Sequence, residues 1–210
     1  MRYGIWAALL AVCFVLLGYM VQHDMLVLID QAIGDFFFAL RTDGLNPIIK
    51  AFSNLGTTSG FVVAFVIVLA WTLIVLRRGQ YAIWLTVSLA GAWLLNKLLK
   101  SAYHRERPEL WDSLAVPDGY SFPSGNAMIS AAFYGFIAIL LLRSGRNGNK
   151  AWGVIIILVI LLIGISRLYL GVHYASDIAG GLLAGASVAL LCSFGTALRW
   201  ETTNKIVNHR

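Results

Sequence analysis

Three separated groups of residues carry charge and nucleophilic chemistry at fixed spacings: Lys100-x6-Arg107-Pro108, Pro123-Ser124-Gly125 and Ser166-Arg167-x5-His173-x3-Asp177. Lys100, Arg107 and Arg167 are cations that can neutralise a phosphate dianion and the charge that builds on its equatorial oxygens during transfer. Arginine can also grip two such oxygens at once. His173 and Asp177 are four residues apart, so on a helix both project from one face. A carboxylate bonded to one ring nitrogen fixes the tautomer and leaves the other nitrogen a directed nucleophile. Each group has a plainer reading when taken alone. Long basic side chains snorkel at membrane edges, as Lys97 is expected to do, and a lone His–Asp pair is more often structural. Together they point to holding a phosphoryl group and attacking it.

Pro123-Ser124-Gly125 directly precedes an apolar run, so Ser124 or Gly125 falls at a helix amino terminus. Unsatisfied N–H groups and the positive dipole end suit that place to an anion. Gly125 lets a phosphate approach the backbone closely. An ordinary N-cap behind a proline is the plainer reading.

The elements that must position these groups are membrane spans. Hydrophobic residues make up 59% of the 210 residues and charged residues 12%, against about 25% charged in soluble domains. Apolar runs near the roughly 20 residues of a spanning helix lie at about 5–22, 58–76, 81–99, 125–142, 151–168 and 177–198. The expected fold is all-α: a polytopic bundle of six transmembrane helices with an amphipathic interfacial segment. The whole of 1–210 reads as one membrane-embedded domain. Its first span is followed by an interfacial segment at about 24–57, core spans and motifs at 58–198 and a cytoplasmic tail at 199–210. The first run is long for a signal core and lacks an Ala-x-Ala-type site, so it is expected to be retained. Cys13 and Cys192 read as small buried hydrophobes, and no cysteine or histidine spacing suggests a metal.

The net charge of +6 does not read as a nucleic-acid surface. Basic residues gather at Arg77 and Arg78, across 143–150 and near both termini, whereas nine of the ten acidic residues fall on the opposite side of a six-span map. The positive-inside rule makes the basic side, with both termini, cytoplasmic. All three groups then meet at the extracytoplasmic face of a multi-pass cell-membrane protein. Within 24–41, Asp24, Asp30, Gln31, Asp35 and Arg41 alternate with Leu26, Leu28, Ile29 and Phe36–Phe38. That pattern suits a helix lying at the interface, either covering the bundle or guiding lipid.

These residues resemble the type 2 phosphatidic acid phosphatase family of integral membrane lipid phosphatases. Lys-x6-Arg-Pro, Pro-Ser-Gly and Ser-Arg-x5-His-x3-Asp follow its three signature motifs in order, and the likeness extends from about residue 50 to 198. The lead-ins Leu94-Leu95-Asn96-Lys97-Leu98-Leu99-Lys100 and Ser121-Phe122-Pro123-Ser124-Gly125 look like its bacterial branch. The resemblance implies that His173 forms a phosphohistidine while Asp177 orients it. It further implies that Lys100, Arg107, Arg167, Ser124 and the Gly125 backbone hold phosphate oxygens, with Pro108, Pro123 and Ser166 as motif support. No metal or cofactor is implied; the expected partners are a lipid phosphate or diphosphate and membrane lipids, not nucleic acid.

The second motif departs from the family at Asn126, where a histidine is expected to protonate the leaving oxygen. An amide can donate a hydrogen bond but supplies no proton. A natural variant, an engineered inactive form and a binding protein without catalysis all remain open. Expelling an alkoxide, whose conjugate acid has a pKa of about 16 like water, gains about 10²–10⁴-fold from an acid. Expelling a phosphate monoester, whose second pKa is about 6, needs no proton. Asn126 is therefore expected to favour lipid diphosphates such as a polyprenyl diphosphate over phosphatidylglycerophosphate or phosphatidic acid. His104 is a second candidate acid. Transport is the alternative from another class, but the charges sit at one surface rather than at mid-depth. Gly180, Gly181 and Gly185 read as close helix packing.

Overall fold

In hydrocarbon, a chain must satisfy its own backbone polar groups, and a long uncharged run does so as a helix. The computed structural model describes residues 2–116 and 118–208, with side chains as far as Thr196. All regular structure among the described residues is helical: α1 (Arg2–Gln22), α2 (Val27–Ala39), α3 (Leu45–Leu55), α4 (Thr58–Ala70, ending in a π-helical turn Trp71–Val75), α5 (Gly79–Tyr103), α6 (Gly125–Arg143), α7 (Asn147–Tyr169) and α8 (Ala175–Asn208). Among the described residues, six helices are long and apolar enough to cross a membrane: α1, α4 with its π turn, α5, α6, α7 and α8 through Thr196. The chain is a six-span membrane protein. The side chains of the expected cytoplasmic tail, 199–210, lie outside the described residues.

The expected interfacial segment, 24–57, holds two helices: α2 lies within the 24–41 stretch, and α3 follows it. They pack on the bundle: α2 against α7 and α8, and α3 against α7 and α4. Both are more than a cover, because each sends a polar side chain to the site described below.

The bundle centre is the pair α6 and α8. Ala127, Met128, Ala132, Phe133 and Phe136 of α6 are buried, and Phe133 and Phe136 pack with Phe61, Leu85 and Ala189 from α4, α5 and α8. Glycines set the approach. A Cβ on Gly185 would lie 2.1 Å from the Met128 carbonyl oxygen, and one on Gly181 2.7 Å from that of Ser124. This contact locks the start of α6 against the start of α8, which carry the second and third motifs. The outward faces of α1 and α4 expose Val12, Leu16, Val63, Ile67 and Ile74, as a lipid-facing surface requires.

Candidate active site

Two connections, α5–α6 and α7–α8, build the site with the helix ends they join. α5 runs one turn past its apolar stretch and carries Lys100 in its last turn. His104 then takes a left-handed conformation, φ 49°, and its N–H bonds the Lys100 carbonyl at 3.1 Å. That stop turns the chain into the loop holding Arg105 and Arg107. α6 begins at Gly125, behind Ser124. The loop between α7 and α8 presents His173, and Asp177 lies in the first turn of α8. Ser124 N–H bonds the Asp177 carbonyl at 3.0 Å, joining the second motif to the third.

His173 is buried between its partners. Its Nδ1 lies 3.3 Å from Asp177 Oδ2 and 3.2 Å from Ser121 Oγ. The same carboxylate oxygen accepts from Ser121 Oγ at 2.5 Å and from Tyr174 N–H at 2.8 Å. Nε2 lies 3.2 Å from Arg107 Nη1. A guanidinium only donates, so this contact needs the lone pair on Nε2 and the proton on Nδ1, facing Asp177. That is the tautomer a nitrogen nucleophile requires. Burial, reinforced by Arg107 and Arg167, lowers the His173 pKa to about 4 despite the opposing pull of Asp177. The ring is therefore neutral at physiological pH.

The cations converge on this ring. Arg107 also donates to the carbonyls of Val172 (2.7 Å), Gly119 (2.8 Å) and Asp118 (2.9 Å). Lys100 Nζ donates to the Tyr120 carbonyl. Arg167, buried in the last turn of α7, donates from Nη1 to Ser53 Oγ of α3 at 2.6 Å. Its Nε and the hydroxyl of Ser124 are buried without a hydrogen-bond partner among the described residues. Ser124 stands at the N-cap position of α6 yet makes no side-chain cap bond. The plain capping reading of Pro123-Ser124-Gly125 therefore does not describe it.

Two cavities meet beside these groups. An apolar groove of about 530 Å³ runs between α4, α5 and α6, lined by Phe61, Phe65, Leu89, Trp93, Lys97, Lys100, Gly125 and Asn126. A polar chamber of about 580 Å³ is lined by Lys50, Ser53, Asn54, Asp118, Asn126 and Arg167. Thr58 and Asn126 line both. His173, Asp177, Arg107 and Ser124 line neither cavity; Arg107 stands over Nε2. Pro108 and Pro123 are buried in the loops, and Ser166 turns its hydroxyl back to the Ile163 carbonyl at 2.6 Å. His104 is exposed and packs edge-on against Tyr120 with centroids 4.6 Å apart. It lines neither cavity. Lys97 lies over the Trp93 ring at 4.1 Å, inside the groove rather than clear of it.

Sequence reasoning missed Arg105, Asp30, Ser121 and Ser176. Arg105 donates to Asp177 Oδ1 at 2.6 Å and to Asp30 Oδ2 of α2 at 2.8 Å. Arg105 stands two residues before Arg107, within the first motif. That was the available signal; Asp30, on a different helix, gave none.

A family model, the PAP2 superfamily, matches residues 81–200. Phosphatidylglycerophosphatase B of Bacillus subtilis is 29% identical over 175 residues, covering 82% of this chain and 85% of that protein. Undecaprenyl-diphosphatase of Sulfolobus acidocaldarius is 30% identical over 129 residues, 59% of each. The crystal structure of a transmembrane PAP2 type phosphatidylglycerolphosphate phosphatase from Bacillus subtilis superposes with a TM-score of 0.85 at 27% identity, covering 91% of this chain and 96% of that one. Aquifex aeolicus LpxE shares the fold, with a TM-score of 0.63 at 24% identity over 78% of this chain and 94% of that one.

Proposed function

The chain belongs to the PAP2 superfamily, and we propose that it hydrolyses a lipid diphosphate, such as a polyprenyl diphosphate, through a phosphohistidine at His173. The observation that carries this reading is the geometry around one imidazole. Its Nε2 bears a lone pair beside Arg107, and Ser124 Oγ and Arg167 Nε are buried donors with no partner among the described residues. Phosphate oxygens are the natural partners for all three. Arg107 donates to them in place of Nε2, which frees the nucleophile. Lys100 and the N-terminal N–H groups of α6 supply further charge, so the reaction proceeds without metal.

Nε2 attacks the terminal phosphorus and forms a P–N bond. The bridging P–O bond breaks, and its electron pair leaves with the lipid monophosphate. Water then attacks the phosphoryl group and breaks the P–N bond, giving dihydrogen phosphate and the neutral imidazole. Asp177 holds Nδ1–H throughout and stabilises the positive ring. The apolar groove accommodates the lipid chain and ends at Lys100 and Asn126, where the leaving oxygen emerges. Its lining has no carboxylic acid or histidine among the described residues, which suits a leaving group that departs unprotonated. Lys97 and the Asn126 amide stabilise it there.

The likeness to phosphatidylglycerophosphatase B favours a second reading, a phosphomonoester substrate. Phosphate release by the purified protein from undecaprenyl diphosphate and from phosphatidylglycerophosphate separates the two. Faster turnover of the diphosphate is expected, and Asn126→His should raise the monoester rate most. Faster wild-type turnover of phosphatidylglycerophosphate would establish the second reading. Release from neither would leave a lipid-phosphate-binding protein. The single domain is read as a multi-pass cell-membrane unit with this site outside and both termini inside, supported by the basic connectors.

A further inference from the structure

Two buried carboxylates share one arginine behind the catalytic pair. Asp177 and Asp30 are 0% and 1% exposed, and such groups are costly to bury unless paired. Arg105 sits between them, 2.6 Å from Asp177 Oδ1 and 2.8 Å from Asp30 Oδ2. Its guanidinium lies over the Tyr174 ring at 4.2 Å, which fixes its plane. Asp30 also accepts from Ser176 N–H at 2.8 Å and Ser176 Oγ at 2.6 Å, in the first turn of α8. Ser176 Oγ in turn accepts from Arg105 at 2.7 Å.

We propose that Asp30 and Arg105 are positioning residues that set the orientation and charge of Asp177 toward His173. Arg105 occupies Oδ1 through Nη1, leaving Oδ2 for Nδ1–H, while its Nη2 holds Asp30. By itself it would also draw off the negative charge that stabilises the imidazolium of the transition state. Asp30 offsets that draw by taking the other half of the guanidinium. The interfacial helix α2 is thereby part of the catalytic apparatus. This inference rests on His173 being the nucleophile.

The experiment measures kcat and KM for phosphate release by the full-length protein, with thermal unfolding recorded for each variant. Arg105→Gln leaves two like charges facing each other. It should lower kcat about 10–100-fold, the range typical of supporting partners around an oriented histidine, with KM little changed. Asp30→Asn should lower kcat less. The double variant, which leaves Asp177 alone, should recover part of the Arg105→Gln loss, and Arg105→Lys should keep most activity. A merely structural role predicts additive losses with no recovery. If Arg105→Gln does not fold, Asp30→Asn decides, being close to isosteric. Wild-type kcat in Asp30→Asn, or a double variant no better than Arg105→Gln, overturns the inference while leaving the nucleophile in place. Phosphate release that survives His173→Ala overturns both.

Discussion

His173 keeps its nucleophilic form because desolvation outweighs the carboxylate beside it. Its pKa of about 4 means that Nε2 carries a lone pair above that pH and loses it below. Activity limited by this step should stay level from neutral pH down to mildly acid values and fall as the pH passes through about 4, as a kcat/KM profile would reveal. An acidic limb centred near 6.5, the usual histidine value, would mean an exposed ring. Arg167→Ala removes a buried donor whose Nε has no partner among the described residues, and kcat should drop about 10²–10³-fold, as for loss of one preorganised charge-stabilising donor. The gathering of Lys100, Arg107, Arg167, His173 and Asp177 was legible because they stand at the spacings of the three motifs. Asp30 was not legible. Its partner is 75 residues away, and an acidic residue on an amphipathic helix looks solvated until tertiary contact buries it.

The helices hold the site by close packing as well as by polar ties. Gly185 meets a backbone carbonyl that cannot yield, so Gly185→Ala should push α8 from α6 and cost about 1–3 kcal/mol, the range for overpacking. Gly91→Ala on α5 has open space around it and should be neutral or gain up to about 1 kcal/mol from helix entropy. Thermal unfolding in detergent compares them, and equal effects would contradict the proposed interlock. The six spans were legible from apolar length, and the small-residue spacing of α8 was legible as packing. Within 24–57 a helix over 24–41 was legible and α2 lies there, but α3 was not. The segment's exposed Leu28 and Phe36 and its buried Asp30 and Ser53 take their places from contacts with other elements, not from local periodicity.

Across the whole molecule, an apolar groove between α4, α5 and α6 reaches Lys100 and Asn126 and shares Asn126 with the polar chamber. Ala90→Phe within that groove should slow turnover of a long-chain lipid diphosphate while sparing a short soluble one, and a chain-length series would measure the split. Sidedness was inferred from the distribution of charge. A cysteine at Asp112 should react with an impermeant thiol reagent in intact cells, and one at Gly148 only after lysis. The central claim is tested most directly by quenching the purified protein during turnover of a phosphorus-labelled lipid diphosphate and mapping the label. Acid-labile, alkali-stable phosphate on the peptide containing His173, absent from His173→Ala along with all phosphate release, is the predicted result. Label on any other residue, or undiminished release by His173→Ala, would contradict it.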